Sequence, residues 1–257
     1  MKSRSIAFIG GGRITRIFLQ GLSNKKALPP QVSVFEPNPE TLKALQTEFE
    51  EVVAASSVEE ASVQDIVFIA VHPPVVMETL QTIKETVTEN TTVVSLAPKI
   101  TLEKMASVLP TKKLVRMIPN ATSFISDGFN PVAFAAGFDE KEKKQTLKLL
   151  KKLGKTFETE EPKLESYAIV SAMLPTYFLF QWKEMENIAC EIGLSQEEAQ
   201  KAISSTLKKA LKLYYKSGLS SSEVIDLIPV KPIGENESEI KEILNSKLKG
   251  LFQKIKP

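Results

Sequence analysis

Three consecutive glycines, Gly10-Gly11-Gly12, followed by Arg13-Ile14, carry the clearest chemistry in the chain. They stand between a short apolar run, Ser5–Ile9, and a helical pattern marked by Ile14, Ile17, Phe18, Gly21 and Leu22. A strand, a glycine turn and a helix N-terminus together form a pyrophosphate site of the dinucleotide type. Gly10 permits the tight turn, Gly12 lets the backbone approach the phosphates, and the free N–H groups of the first helical turn face the anion. The third small position of that fingerprint is Thr15 rather than Gly or Ala. Glu36 closes the second apolar run, where a carboxylate accepts hydrogen bonds from the adenine ribose hydroxyls. The same charge repels a 2′-phosphate, and the turn Pro37-Asn38-Pro39-Glu40 brings no Arg or Lys to offset it. The cofactor expected is therefore NAD or NADP, with Glu36 favouring NAD. Glu36 reads equally well as an exposed acid of a βα loop.

The remaining reactive side chains are few. A single histidine, His72, and a single cysteine, Cys190, argue against a histidine or cysteine metal site, an internal disulfide and a Ser-His-Asp triad. No metal site is expected, so chemistry falls to a bound cofactor. A formal net charge of +2 with 25% charged residues gives no electrostatic reason to expect nucleic acid or an anionic membrane as partner. No apolar run approaches the roughly 20 residues of a membrane helix, and the first apolar stretch is too short for a signal peptide. These features predict a cytoplasmic protein acting on a small molecule. The Lys-rich helix from Lys141 to Lys155 reads as a solvated face.

The elements that must position these residues alternate through the first 160 positions. Strands are expected at Ser5–Ile9, Val32–Phe35, Val52–Ala54, Ile66–Val71, Thr92–Leu96, Leu114–Met117, Val132–Ala135 and Thr156–Glu158. Several are continuous apolar runs, as parallel strands buried on both faces require. Helices are expected at Arg13–Leu22, Pro39–Phe49, Pro74–Thr88, Leu102–Leu109 and Glu140–Leu153, with Asp139 as an N-cap. The alternation predicts an α/β fold, a Rossmann-type doubly wound sheet over residues 1–160. After Glu160-Glu161-Pro162 the pattern is helical throughout: Leu164–Ile192, Gln196–Lys216, Ser222–Leu227 and Glu237–Lys254. Gly193 reads as a helix terminator and Ser195 with Glu198 as a capping box. Residues 161–257 are thus expected to form an all-α domain. Its segment from Pro175 to Trp182 is apolar on more than one face, suiting either a core or a subunit contact.

Taken together, these segments resemble the pyrroline-5-carboxylate reductase family over nearly the whole chain. Gly10-Gly11-Gly12 is similar to that family's opening glycine loop, and Ala70-Val71-His72-Pro73-Pro74 to its A-V-K-P-Q segment. Val115-Arg116-Met117-Ile118-Pro119-Asn120 resembles its V-R-x-M-P-N stretch, with Gly128 at the following glycine. Gly154-Lys155, Pro175-Thr176-Tyr177 and Gly193-Leu194 resemble its G-K, P-A-Y and G-L. The resemblance implies a helical domain that makes a homodimer or larger homo-oligomer. It also implies nicotinamide near Ala70, Val71, His72 and Asn120. His72 stands where the family has Lys, and it reads alternatively as a loop residue at the strand end. Asn120 reads alternatively as an ordinary Pro-Asn turn.

The departures fall where the resemblance puts the substrate. The family's S-G-S-G-P-A-Y becomes Ser171-Ala172-Met173-Leu174-Pro175-Thr176-Tyr177. Its T-S-P-G-G-T-T loop, which holds the substrate carboxylate, aligns with Val230-Lys231-Pro232-Ile233-Gly234-Glu235-Asn236. There Glu235 sets an anion against an anionic substrate, and Lys231 is placed to offset it. Three readings follow. The first is an NAD(P)-dependent reductase of a C=N or C=O group, with Thr176, Tyr177 and Lys231 as candidate catalytic groups. The second is a hydroxyacid-dehydrogenase-like enzyme using Lys183 and Asn187, which share a helix face at i, i+4. The third is a catalytically silent dinucleotide-binding scaffold.

Overall fold

The computed structural model describes residues 4–257. The chain divides into two compact units: the described part of residues 1–172 together with 251–257, and residues 173–250.

In the first unit the elements run β1 (Ile6–Ile9), α1 (Arg13–Asn24), β2 (Val32–Phe35), α2 (Pro39–Glu48), β3 (Val52–Ala54), α3 (Val58–Ser62), β4 (Ile66–Ile69) and α4 (Pro73–Ile83). They continue with β5 (Thr92–Ser95), α5 (Leu102–Ala106), β6 (Leu114–Met117), β7 (Gly128–Phe134), α6 (Glu140–Leu150), β8 (Gly154–Glu158) and α7 (Leu164–Tyr167). The eight strands form one sheet in the order β3-β2-β1-β4-β5-β6-β7-β8. Strands β1, β4, β5 and β6 are buried along their whole length; β1 and β4 are accordingly apolar throughout, whereas β5 carries Thr92 and Ser95 and β6 carries Arg116. After β1 the chain builds outward to β3, then returns to add β4 on β1's other side. That reversal is the switch point of a doubly wound sheet, where the carboxyl ends of the strands part to leave a crevice.

All neighbours are parallel except β6 and β7. Between them stands a single 3₁₀ turn, Ala121–Ile125, too short for the crossover a parallel partner needs. β7 starts four residues before the Val132–Ala135 read from sequence and ends one residue earlier, at Phe134, and it carries Pro131 in its interior. Its pairing to β6 covers only Val132–Phe134, so Pro131's missing N–H costs no ladder bond there, and its carbonyl still accepts from Ile118 N–H at 3.1 Å.

The core sits between α1 and the sheet. Phe8 and Phe68 stack at 4.7 Å between centroids, and Phe18 of α1 meets Phe68 edge-on at 5.6 Å. All three are buried, each contributing about 1.5–3 kcal/mol, and they fix α1 so that its N-terminus stands over the glycine loop.

The single helix expected over Leu164–Ile192 is three pieces. α7 passes into a π-helical stretch at Ala168–Ala172, and α8 (Leu174–Glu191) then starts afresh with Pro175 in its first turn. The second unit holds α8, α9 (Gln196–Lys216), α10 (Ser221–Asp226) and the larger part of α11 (Glu237–Ile255). Gly193 ends α8 at φ +111°, and Ser195 and Glu198 form the expected capping box on α9. α8 buries none of its residues, and Phe178, Leu179, Phe180, Met185 and Ile188 are exposed along it. No helix among the described residues is long and apolar enough to cross a membrane.

Candidate functional site

The carboxyl ends of β1, β4 and β5 open into a cleft of about 690 Å³. Gly11, Gly12, Arg13 and Ile14 line one wall, Ala70, Val71, His72 and Pro73 the next, and Leu96, Ala97 and Pro98 the far one. Backbone bonds that extend the sheet join the three walls, Ala70 N–H to Ile9 O at 2.8 Å and Leu96 N–H to Ile69 O at 3.1 Å, and Gly10 N–H to Phe35 O at 2.8 Å ties the glycine loop to β2.

Each glycine of the loop has a different reason to be glycine. Gly10 lies at φ +102°, and a Cβ there would sit 2.7 Å from the Ala70 carbonyl oxygen. A Cβ on Gly11 would meet the Glu36 side chain at 2.8 Å. Gly12 has an ordinary backbone, φ −74°, and its missing Cβ would meet nothing within 4 Å. No neighbouring atom requires glycine at position 12, although a helix N-cap mildly favours it. A phosphate lying against the α1 N-terminus does require it, because a side chain would occupy its place.

Thr15, the departure in the fingerprint, is fully buried, and its hydroxyl donates to the Gly10 carbonyl at 2.5 Å. The larger residue is accommodated by bonding back onto the loop. Glu36 is wired into the same loop: Oε2 accepts from Gly11 N–H at 2.7 Å and Oε1 from Asn38 N–H at 2.9 Å. Each carboxylate oxygen keeps a second acceptor site for a ribose hydroxyl. Toward α2, sequence reasoning missed Arg16, Thr41, Ala44, Leu45 and Glu48, which also line the cleft. Arg16 bonds Glu48 at 2.6 Å and thereby joins α1 to α2. The hydrogen bond and charge of Glu48 hold the Arg16 pKa above its ordinary value.

The other residues singled out from sequence fall into two groups. His72 is exposed on the cleft wall at the N-cap of α4, and its imidazole makes no capping bond. Asn120 is not among the cleft-lining residues. Its side chain caps the 3₁₀ turn by accepting from Thr122 N–H at 3.0 Å, and its amide donates to the Ser171 hydroxyl and carbonyl at 3.2 and 3.3 Å. Thr176, Tyr177, Lys231, Lys183 and Asn187 all belong to the second unit. The Thr176 hydroxyl donates to Met173 O at 2.6 Å, and burial pushes the Tyr177 phenol above its usual pKa. Lys183 faces Glu186 at 3.8 Å and Asn187 bonds Glu184 at 3.2 Å, so both polar ends engage acids of their own helix.

A family profile described as NADP oxidoreductase, coenzyme F420-dependent, matches residues 5–99. The pyrroline-5-carboxylate reductase of Escherichia coli is 26% identical over 227 residues, spanning 88% of this chain and 84% of its own. The chain is thus similar in sequence, over most of its length, to proteins named pyrroline-5-carboxylate reductase. The enzyme of that name from Corynebacterium melassecola is 25% identical, with 96% of this chain and 93% of its own covered. In three dimensions the chain is similar to the pyrroline carboxylate reductase of Plasmodium falciparum, solved with NADP bound. Its TM-score is 0.74 at 18% identity, covering 99% of this chain and 95% of that one. The likeness to the solved structure supports the Rossmann-type fold followed by a helical region.

Proposed function

We propose that the protein is an NAD(P)H-dependent reductase of the pyrroline-5-carboxylate reductase type, adding hydride to the C=N, or a C=O, of a small substrate. The observation that carries this reading is the open face of Gly12 over the cleft, at a helix N-terminus where a missing side chain leaves room for a closely approaching anion. The bound nicotinamide would supply the hydride, and the chain's own residues do the rest. Gly11, Gly12, Arg13 and Ile14 hold the pyrophosphate at the α1 N-terminus, and Glu36 takes the ribose hydroxyls, favouring NADH over NADPH. Ala70, Val71 and His72 form the wall toward the reacting ring. Asn120 acts one step removed, by fixing Ser171. Thr176 and Tyr177 stay the proton-donor candidates: the Thr176 hydroxyl donates to Met173 O, and burial raises the pKa of the Tyr177 phenol. Lys231 stays a candidate for charge balance near the substrate.

The division into a dinucleotide domain of residues 1–160 and a helical domain of 161–257 belongs to this proposal, as do a cytoplasmic address and a homodimer. The exposed apolar length of α8 supports the homodimer, since leaving it in water is unfavourable. Fluorescence titration with NADH and NADPH, followed by turnover of pyrroline-5-carboxylate, tests the function. Binding of neither nucleotide overturns it. Binding without turnover across imine and keto substrates leaves the silent scaffold instead.

A further inference from the structure

Three non-glycine residues among those described have positive φ: Lys26, Lys99 and Ser126. Lys26 comes just after Lys25, the C-cap of α1, and Ser126 closes the 3₁₀ turn, so both sit where a chain leaving a helix often turns left-handed. Lys99, at φ +75°, ends no helix. It follows Leu96, Ala97 and Pro98, the far wall of the cleft. A solvated lysine has no need of this backbone, and glycine or asparagine would adopt it at lower cost.

The conformation is held from beneath. The Lys99 N–H donates to Glu165 Oε1 at 3.3 Å, and the Leu102 N–H donates to Glu161 Oε1 at 2.7 Å. Both carboxylates pair with one buried guanidinium, that of Arg116, which bonds Glu161 at 2.9 Å and also Glu165. Two ends of a four-residue bend are thus pinned by one buried ion cluster. Lys99 is not itself a lining residue, but a backbone this constrained directly beside the β5 wall points to a side chain that has to be presented at the rim of the cleft. The Lys99 side chain is exposed and makes no ion pair or hydrogen bond among the described residues. Of the two cations that line the cleft, Arg16 is already paired with Glu48, and Arg13 stands at the start of α1 on the glycine-loop wall.

We propose that Lys99 is an anion-binding residue that receives the carboxylate of a small acid substrate at the β5 wall of the cleft. This rests on the reductase reading above and adds to it a specificity-determining cation. The test compares wild type with Lys99→Gly, Lys99→Asn and Lys99→Arg in three measurements: NADH titration, turnover of pyrroline-5-carboxylate, and calorimetric titration of L-proline into the NAD-saturated protein. Glycine relieves the left-handed backbone, so Lys99→Gly keeps or raises Tm by about 2–4 °C, which separates function from folding. Loss of a charge-assisted bond raises KM, and the L-proline Kd, roughly 10- to 100-fold in the Gly and Asn variants. NADH affinity and kcat stay within about threefold, and Arg restores most of the loss. Equal KM and Kd in wild type and Lys99→Gly overturn the inference. So does a tenfold loss of NADH affinity, which assigns the ammonium to a cofactor phosphate. Failure of wild type to bind L-proline or turn over the imine overturns it too, while intact NADH binding there leaves the cofactor site standing.

Discussion

Substituting two neighbouring glycines should separate stability from cofactor binding. At Gly10, alanine meets both an unfavourable φ of +102° and the Ala70 carbonyl oxygen 2.7 Å from its Cβ. The left-handed backbone costs about 1–2 kcal/mol and the forced shift of packed backbone about 1–3, so Gly10→Ala should lose about 2–5 kcal/mol. At Gly12, φ is −74° and the new methyl meets nothing. Alanine at a helix N-cap costs about 0.5–1 kcal/mol, and the less flexible unfolded chain returns about 0.4–1, so folding stability should change by less than about 0.5 kcal/mol. The methyl nevertheless occupies the space over the α1 N–H groups. Losing even one charge-assisted bond there weakens NADH binding by about 10- to 100-fold. Urea denaturation with a constant m-value reads the first effect, and NADH fluorescence titration the second. Gly12→Ala that binds NADH as wild type does would refute the placement of the phosphates.

Three further outcomes follow from the geometry. Glu36→Gln keeps one acceptor for Gly11 N–H but removes the charge. Repulsion of a 2′-phosphate at about 4 Å is worth about 1–4 kcal/mol, so the NADH-to-NADPH affinity ratio should fall at least about fivefold, and an unchanged ratio contradicts the role given to this carboxylate. Arg116→Met leaves the buried Glu165 without its cation and should cost about 3–5 kcal/mol by chemical denaturation; a loss under about 1 kcal/mol would show that the cluster does not anchor the 99–102 bend. Hydrogen bonds from Ser195 and Ser220 hold the Glu198 and Glu223 carboxyls below their ordinary pKa. A depressed folded pKa stabilises above the unfolded value, about 4.3, and that contribution disappears as pH falls through the folded value. Helical circular dichroism should therefore weaken with acidification below about pH 4.3, and less so in Glu198→Gln, which has no such carboxylate to protonate.

What the sequence made legible follows from how local each signal is. The glycine loop, Glu36 and the buried strands are written in adjacent residues, and the structure brings them to one crevice. α3 was missed because five residues hold too little periodicity, although Ser57 accepting from Glu60 N–H is a capping signal. The break before α8 had a visible marker in Pro175, a residue suited to a helix's first turn, but the π-helical stretch before it leaves no periodic trace. Asn120 was legible as a turn residue, whereas its partner Ser171 is set by tertiary packing that no local pattern encodes. The far wall at Leu96–Pro98, and the strain at Lys99 beside it, became visible only from backbone angles.

The Arg116 cluster also bears on how the first unit comes into being during synthesis. The glycine loop, β4 and β5 are all complete once residue 98 has been made, and a nascent chain of that length already has the sequence of every cleft wall. Yet the bend that follows is fastened by Glu161 and Glu165, and Arg116 enters the sheet with its charge unanswered until those residues arrive. The cofactor-side architecture is therefore an early scaffold with a late lock. A chain ending after β8 retains all eight strands and leaves a cation in its interior without either carboxylate, so the charge of Arg116 is answered only when the chain extends through α7.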